Sequence, residues 1–277
     1  MKLNYLIIAI FYVCVTFPGV AQSYIECVDS AEYYIKRERW NDAERMTISA
    51  LKQKPANKIN YQLWSNLGDI RTALEEYDGA LQAFEIALTT VPAKERARIL
   101  NNRAFTLLRI GKENEALKDI EESLALDSLQ EWPLKMCGII NLNKQNYITA
   151  EKCFISLKNH FPDNPAAYEG LGKIEGTKGN NIKAVDYFRK SLELNQDENI
   201  WFYLILVNIE SDKIPEAKED LLIALKRYPR SGNLYLLRGL IHKKNYENEE
   251  ALIDKKIASD FGADPHLIER FFPNNTK

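Results

Sequence analysis

"EYDGALQAFEIALTTVP", residues 76–92, sets the beat of the chain. Its Ala80, Phe84 and Ala87 fall on one helical stripe, and Pro92 stops the run because proline has no N–H to continue a helix. Ala150, Phe154 and Pro162 stand in the same relative places 70 residues on, and Ala217, Ala224 and Pro229 recur later. A small residue that keeps returning, where a larger one would bury more surface, marks a packing constraint. The full series is Ala43, Ala80, Ala116, Ala150, Ala184, Ala217 and Ala251, at intervals of 37, 36, 34, 34, 33 and 34 residues.

The spacing predicts paired antiparallel helices, neither of which can bury its apolar stripe alone. Helices that pack at about 8–10 Å need a small residue where they cross. The methyl of Ala80 lets the second helix approach the first beside Gly68, and Trp64, Leu67, Tyr77 and Phe84 lock the contact from its flanks. A leucine at Ala80 would overpack the crossing by about 1–3 kcal/mol. In "NEALKDIEESLALD" (114–127), Ala116, Leu117, Ile120, Leu124 and Leu126 keep helical spacing, and no segment reads as a strand. Pro55, Pro92, Pro162 and Pro229 end helical runs, while Gly111, Asn164-Pro165 and Gly179-Asn180 supply turns. The extra residues of the two longest intervals fit lengthened turns near 53–60 and 93–96.

A period near 34 residues, with Trp64-x-x-Leu67-Gly68, then Ala80-x-x-x-Phe84-x-x-Ala87 and Pro92, resembles the tetratricopeptide repeat (TPR) family. Tyr168, Leu171, Gly172, Ala184 and Phe188 repeat the pattern, as do Trp201, Leu204, Ala217, Ala224 and Pro229, and Gly138, Ala150, Phe154 and Pro162. The resemblance implies an all-α fold, a right-handed superhelical α-solenoid of about seven helix-turn-helix units. These fall at about 24–57, 61–94, 97–130, 131–164, 165–198, 198–231 and 232–265, with a capping helix and loose tail at 266–277. The ends depart from the pattern: Cys27, Ser30 and Ala31 replace an aromatic, a leucine and a glycine, and Lys255 replaces an aromatic. Asp264 should cap a short helix presenting Leu267, Ile268, Phe271 and Phe272, a lid over the last open face.

Lys+Arg 37 against Asp+Glu 39 leaves a net charge of −2 over 277 residues, without the cationic excess of non-specific nucleic-acid binding. Residues 1–21 hold Lys2, an apolar run from Leu6 to Phe17, and then Pro18, Gly19 and Ala21, the layout of a signal peptide cleaved after Ala21. The apolar run is shorter than the ~20 residues of a spanning helix. Lipid attachment at Cys14 is disfavoured by Val13 before it. The expected destination is the periplasm, cell envelope or extracellular space of a bacterium. Cys27, Cys137 and Cys153 would remain, an odd set without C-x-x-C spacing. Cys137 and Cys153 fall on adjacent helices and either pair or pack as small buried hydrophobes, the second being the expectation. Asn274-Asn275-Thr276 is a glycosylation sequon that matters only in a eukaryotic secretory host.

No catalytic, cofactor or metal residues are expected. His160, His242 and His266 lie far apart, outside any ligand spacing, and nucleophile-elbow, P-loop and dinucleotide motifs are missing. "GLGKIEG" (170–176) sits inside a predicted helix, with Gly172 as a packing glycine, and Glu75-Glu76 and Glu121-Glu122 read as solvated faces. Binding remains. By resemblance, the first helix of each unit lines a concave groove, which collects Phe105, Leu108, Trp132, Met136, Ile139 and Leu142, then Phe202, Leu206, Ile209, Leu236 and Leu240. Asn66, Arg98, Asn102, Arg109, Lys135 and Lys173 are its polar members, and Phe105 and Trp132 its expected anchors. Arg98 and Asn102 echo part of a clamp for chaperone tails, but Ser65, Asp69, Trp132 and Met136 stand where its other members would be, so that ligand is rejected.

The expected function is a non-catalytic exported scaffold or adaptor that binds a protein or peptide in the groove. The alternative is a structural or assembly component of a bacterial envelope complex, associated with membrane-bound partners through outward helices and ends. A third reading is a carbohydrate- or lipid-binding solenoid.

Overall fold

The computed structural model describes residues 23–273, so the leader with Cys14 and the Asn274 sequon lie outside the described residues. Those residues form fifteen α-helices and no strand. They divide into two compact units, one ending at Glu95 and the other starting at Arg96. The first unit contains hairpins one, α1 (Tyr24–Ile35) with α2 (Trp40–Gln53), and two, α3 (Asn60–Ala73) with α4 (Tyr77–Thr90). Hairpin three pairs α5 (Ala93–Arg109) with α6 (Glu113–Leu126), hairpin four α7 (Glu131–Asn143) with α8 (Tyr147–His160), and hairpin five α9 (Pro165–Thr177) with α10 (Asn181–Leu194). Hairpin six is α11 (Glu198–Glu210) with α12 (Ile214–Arg227), and hairpin seven α13 (Gly232–Lys244) with α14 (Asn248–Asp260); α15 (Pro265–Phe271) closes the chain.

The lengthened link between α2 and α3 is present, but that expected near 93–96 is not: those residues are the first turn of the 17-residue α5. Ala93, Lys94, Glu95 and Arg96 are strong helix formers, and nothing after Pro92 stops them.

Every hairpin turn passes through one left-handed residue: Glu38, Glu75, Gly111, Gln145, Gly179, Asp212 and Tyr246. Each stands five positions before the recurring alanine. The next residue returns its N–H to the carbonyl five positions back, as Glu76 does to Arg71 at 2.8 Å and Asn146 to Asn141 at 2.8 Å. This is the hydrogen bond of a Schellman-type helix end, and it satisfies carbonyls the helix leaves open.

The seven alanines of the series are all buried. The close approach, however, belongs to the glycines and the phenylalanines they face. A Cβ at Gly68 would stand 2.5 Å from the Phe84 ring, one at Gly138 2.5 Å from Phe154, and one at Gly172 2.7 Å from Phe188. Phe154 is held on its other edge by Gly170, where a Cβ would come within 2.3 Å. Sizes trade off across the crossing. In register with those glycines stand Ala104 and Ile205, and in register with the rings stand Ile120 and Leu221. Close packing at fixed helix separation demands this compensation.

Hairpin seven has Gly239 but no ring in register, since Lys255 takes that place. Phe272, beyond α15, fills the gap: its Cζ would lie 3.1 Å from a Cβ at Gly239. Asp264 caps α15 by accepting a hydrogen bond from the His266 N–H at 2.8 Å. Lys243 Nζ donates to the Phe271 carbonyl at 2.8 Å, and Phe271 and Phe272 are buried. The C-terminal segment thus completes the last crossing from outside the repeat.

Cys137 and Cys153 are not separate buried hydrophobes; they form a disulfide with their Cα atoms 6.1 Å apart. The packing of hairpin four puts α7 and α8 within bridging reach at this point. Cys27 is buried outside the disulfide, its Sγ 3.4 Å from the Ser49 hydroxyl and 3.3 Å from Gln53 Nε2.

Candidate functional site

Within the second unit α7 packs on α9, α9 on α11 and α11 on α13, while no two second helices pack comparably. First helices therefore share one face, and second helices face away from it. The expected groove residues distribute unevenly over this face. Phe105 is 46% exposed, and Leu108, Trp132, Met136, Ile139, Leu142 and Leu240 are half-buried. Arg98 and Arg109 are exposed, and Asn102, Lys135 and Lys173 half-buried; Asn66 is half-buried in the first unit. The structure brings the two expected anchors together. Phe105 and Trp132 meet edge to face, with ring centroids 6.4 Å apart at 61°, a favoured aromatic geometry.

Phe202, Leu206, Ile209 and Leu236 are instead buried in the core of the second unit. The reason is α11, "ENIWFYLILVNIE", which buries residues on all its sides, including Ile200, Leu204, Ile205 and Val207. A helix apolar all round is a core helix. Its groove face is covered in part by neighbouring first helices and in part by the C-terminal segment, whose Leu267 and Ile268 pack on the same core.

A cavity of about 390 Å³ opens on the first-helix face, lined by Leu142, Asn143, Tyr147, Gly172, Lys173, Gly176, Thr177, Phe188, Tyr203, Leu206, Val207, Glu210 and Arg270. It exists because α9 carries Gly176 in the register where α7 carries Leu142 and α11 carries Ile209. Tyr203 stacks on Phe188 with centroids 6.0 Å apart, and Lys173 Nζ lies 4.4 Å from the Tyr203 centroid. Lys173 also donates to Glu169 Oε1 at 2.6 Å. Arg270 of α15 reaches Glu210 Oε1 of α11 at 3.4 Å, closing one side of the cavity. Sequence reasoning placed Leu142, Lys173 and Leu206 on this face but missed Tyr147, Gly176, Tyr203 and Arg270. The glycine out of register with its bulky neighbours was the available signal.

A second cavity, of about 470 Å³, lies in the first unit between α2, α3 and α4, with Ile48, Leu51, Trp64, Leu67, Ala83 and Ile86 in its wall. Trp64 is therefore as much a cavity wall as a lock on the crossing. Among the described residues no group of three His, Cys, Asp or Glu side chains could hold a metal ion. No described helix is long and apolar enough to cross a membrane.

The fold and this face define a class, a solenoid built of helical hairpins. Two stretches, residues 28–97 and 165–198, match tetratricopeptide repeat family profiles. Both stretches are tetratricopeptide repeats, and relatives named as TPR repeat-containing proteins support that family for the chain. It is 27% identical over 249 residues to TPR repeat-containing protein MJ1428 of Methanocaldococcus jannaschii, covering 88% of this chain and 40% of that one. It is 25% identical over 207 residues to the human protein O-mannosyl-transferase TMTC3, covering 69% of this chain and 22% of that one. The chain thus spans well under half of either relative. Among solved structures it is similar to a tetratricopeptide repeat protein from Parabacteroides merdae, with a TM-score of 0.64, 26% identity and coverage of 90% and 96% of the two chains. It also shares its fold with YrrB, described as a TPR protein with an unusual peptide-binding site, at a TM-score of 0.54 and 21% identity, covering 69% of this chain and 97% of that one. Proteins of this fold generally bind protein or peptide partners and are generally non-catalytic.

Proposed function

We propose that this chain is an exported, non-catalytic adaptor whose first-helix face binds a protein or peptide partner. The observation that carries the reading is the Phe105–Trp132 pair, an edge-to-face aromatic contact with Phe105 46% exposed. Exposed aromatics held rigid by a neighbour supply binding area at low entropic cost. The Cys137–Cys153 disulfide supports export, because such bonds persist in oxidising compartments such as the periplasm. The transferase name belongs to a relative of which the chain spans 22%, and the first-helix face gathers no nucleophile with an adjacent base. The test is recovery of tagged protein from its native envelope with partners identified by mass. Trp132→Ala with Phe105→Ala should release the partner at unchanged fold; a partner retained in full by the double variant overturns the reading.

A second reading, a structural component of an envelope assembly, is favoured by the second helices of the second unit. Ile148 and Ile182 are each 72% exposed and Leu222 73%. Replacing these three by serine should dissolve such an assembly and leave groove binding intact.

A further inference from the structure

We propose that the cavity of the first unit holds the tail of a straight-chain fatty acid, with its carboxylate on Lys52. The walls are the second helices α2 and α4 with α3 between them, so this is not the first-helix face of the adaptor reading. The space exists because the crossing of hairpin two carries its smallest side chain at one point. Ala83 stands where hairpins three to seven have Asp119, Cys153, Tyr187, Asp220 and Asp254. Ala83 and Leu67, with Ile48, Leu51, Trp64 and Ile86, bound an apolar space of about 470 Å³. An apolar cavity of about 150 Å³ stays dry and takes up benzene, and this one has room for a molecule roughly three times that size.

Shape and polarity select the chain. The α3 wall runs from Trp64 to Arg71, about 10 Å of helix, which suits an extended hydrocarbon better than a compact ring. A peptide brings an N–H and a C=O with every residue, and the helix backbones have none to offer in return because theirs are paired within each helix. An acyl chain makes no such demand. Charge then selects the head. Among the described residues, two cations and no carboxylate line the cavity. Arg71 is engaged, its Nε donating to Glu44 Oε1 at 2.8 Å and its Nη1 to the Gly79 carbonyl at 3.3 Å. Lys52 is exposed, and among the described residues its ammonium makes no ion pair, so it remains for a carboxylate at the rim.

Equilibrium dialysis of the full chain tests this with octanoate, decanoate, dodecanoate and tetradecanoate, each below the concentration at which it forms micelles. Affinity should rise about fourfold with each buried methylene and level off once the chain outgrows the slot. Decanoate should bind about threefold or more tightly than decyltrimethylammonium, which has the same tail and the opposite charge. Lys52→Glu, on an exposed side chain that the fold does not need, should reverse that preference. Ile86→Glu, at a wall position 41% exposed, should weaken decanoate about tenfold or more, whereas Ile155→Glu on α8, 40% exposed, should leave it unchanged. Affinity that climbs without levelling, or an equal loss in the Ile86 and Ile155 variants, would mean adsorption to exposed apolar surface and overturns the proposal. A charge preference unmoved by Lys52→Glu overturns it too, as does no uptake of any of the acids. An amidated Gly-Ser-Gly-Leu-Ser-Gly peptide that matched decanoate would also overturn it and give the cavity to an apolar side chain of a protein partner. The cavity belongs to the first unit and Phe105 and Trp132 to the second, so failure here leaves the adaptor reading standing, and the reverse.

Discussion

In hairpin four, two residues 16 positions apart on α7 and α8 are Cys137 and Cys153, joined in a disulfide. In hairpin seven the same two places hold Arg238 and Asp254, whose fork donates at 2.9 Å from Nε and 2.6 Å from Nη2. Hairpin three repeats the ionic solution with Arg103 and Asp119, and hairpins two and five use Leu67 with Ala83 and Leu171 with Tyr187. One point on the crossing is thus fastened covalently, ionically or by apolar contact, while the Gly–Phe fit beside it recurs in three hairpins. Backbone geometry specifies where the two helices touch; it does not specify how. Side-chain identity there is free to follow the compartment, and a disulfide is the variant an oxidising environment sustains.

The ionic fastener gives the largest expected loss. Arg238→Ala leaves Asp254, 3% exposed, as a buried carboxylate with only His242 Nε2 at 3.6 Å beside it. Uncompensated buried charge costs about 3 kcal/mol or more, and denaturant melts of the variant should show it. Arg238→Ala with Asp254→Leu should recover most of the loss, because the penalty lies in the orphaned charge. An Arg238→Ala variant as stable as the parent chain would mean that the pair does not hold the crossing.

The covalent fastener should contribute about 3 kcal/mol, the chain-entropy value for a closed loop of this length. Melting with and without dithiothreitol measures it directly. Replacing the pair with Cys137→Arg and Cys153→Asp transplants the solution of hairpin seven into hairpin four. The transplant should be insensitive to reductant and more stable than either single variant. A double variant no better than the singles would show that α7 and α8 meet at a different angle from α13 and α14.

Hairpin five has neither fastener and relies on its glycine. Gly172→Ala pushes a methyl into the Phe188 ring, at 2.7 Å, and should cost about 1–3 kcal/mol despite alanine's better helix propensity. Gly176→Ala, one turn on, would set its methyl at ordinary van der Waals distance, 3.7 Å from Val207 Cγ2 and 3.9 Å from Ala184 Cβ, and should gain about 0.5–1 kcal/mol. The two glycines of one helix are expected to move thermal stability in opposite directions.

Hairpin six breaks the pattern in another way. Its Asp220 faces Leu204, so it has no cation across its own crossing and takes Arg189 from α10 at 3.1 Å and Asn208 at 3.0 Å. Burial raises the Asp220 carboxyl above its ordinary 3.8, with Arg189 and Asn208 opposing only in part. An acid with a raised folded value favours the folded state below its unfolded value and loses that contribution as pH rises through the folded one. Asp220→Asn should therefore flatten the stability profile between acid and neutral pH. A profile unchanged from that of the parent chain would contradict the assignment.

These particulars explain what could be read in advance. The alanine series, the Gly-containing motif and the prolines report on contacts between near neighbours in one hairpin, so period and helix pairing were legible, and with them the placing of Phe105 and Trp132 on first helices. Contacts that depend on how hairpins stack were not. The burial of Ile209 and Leu236, the filling of Gly239 by Phe272 and the reach of Arg270 to α11 involve residues tens of positions apart with no shared pattern. The disulfide falls between: its separation matches Arg103–Asp119 and Arg238–Asp254, but that equivalence appears only once the crossing is seen.

The smallest effect tests the turns, which differ in the same way as the fasteners. All seven pass through the left-handed region, yet only Gly111 and Gly179 are glycines there. A side chain at such a position costs about 1–2 kcal/mol, which glycine avoids. Tyr246, at φ 67° and 89% exposed, is the clearest case, because its ring contributes little burial to set against the strain. Tyr246→Gly should raise stability by about 0.5–1 kcal/mol, and Gly111→Ala should lower it by a similar amount. Both changes leave the crossings untouched, so thermal melts should show them adding independently to the losses at Arg238 or Cys137. If Tyr246→Gly destabilised the chain, the ring would be holding the turn through contacts beyond its own hairpin, and hairpin seven would owe its closure to more than Arg238, Asp254 and Phe272.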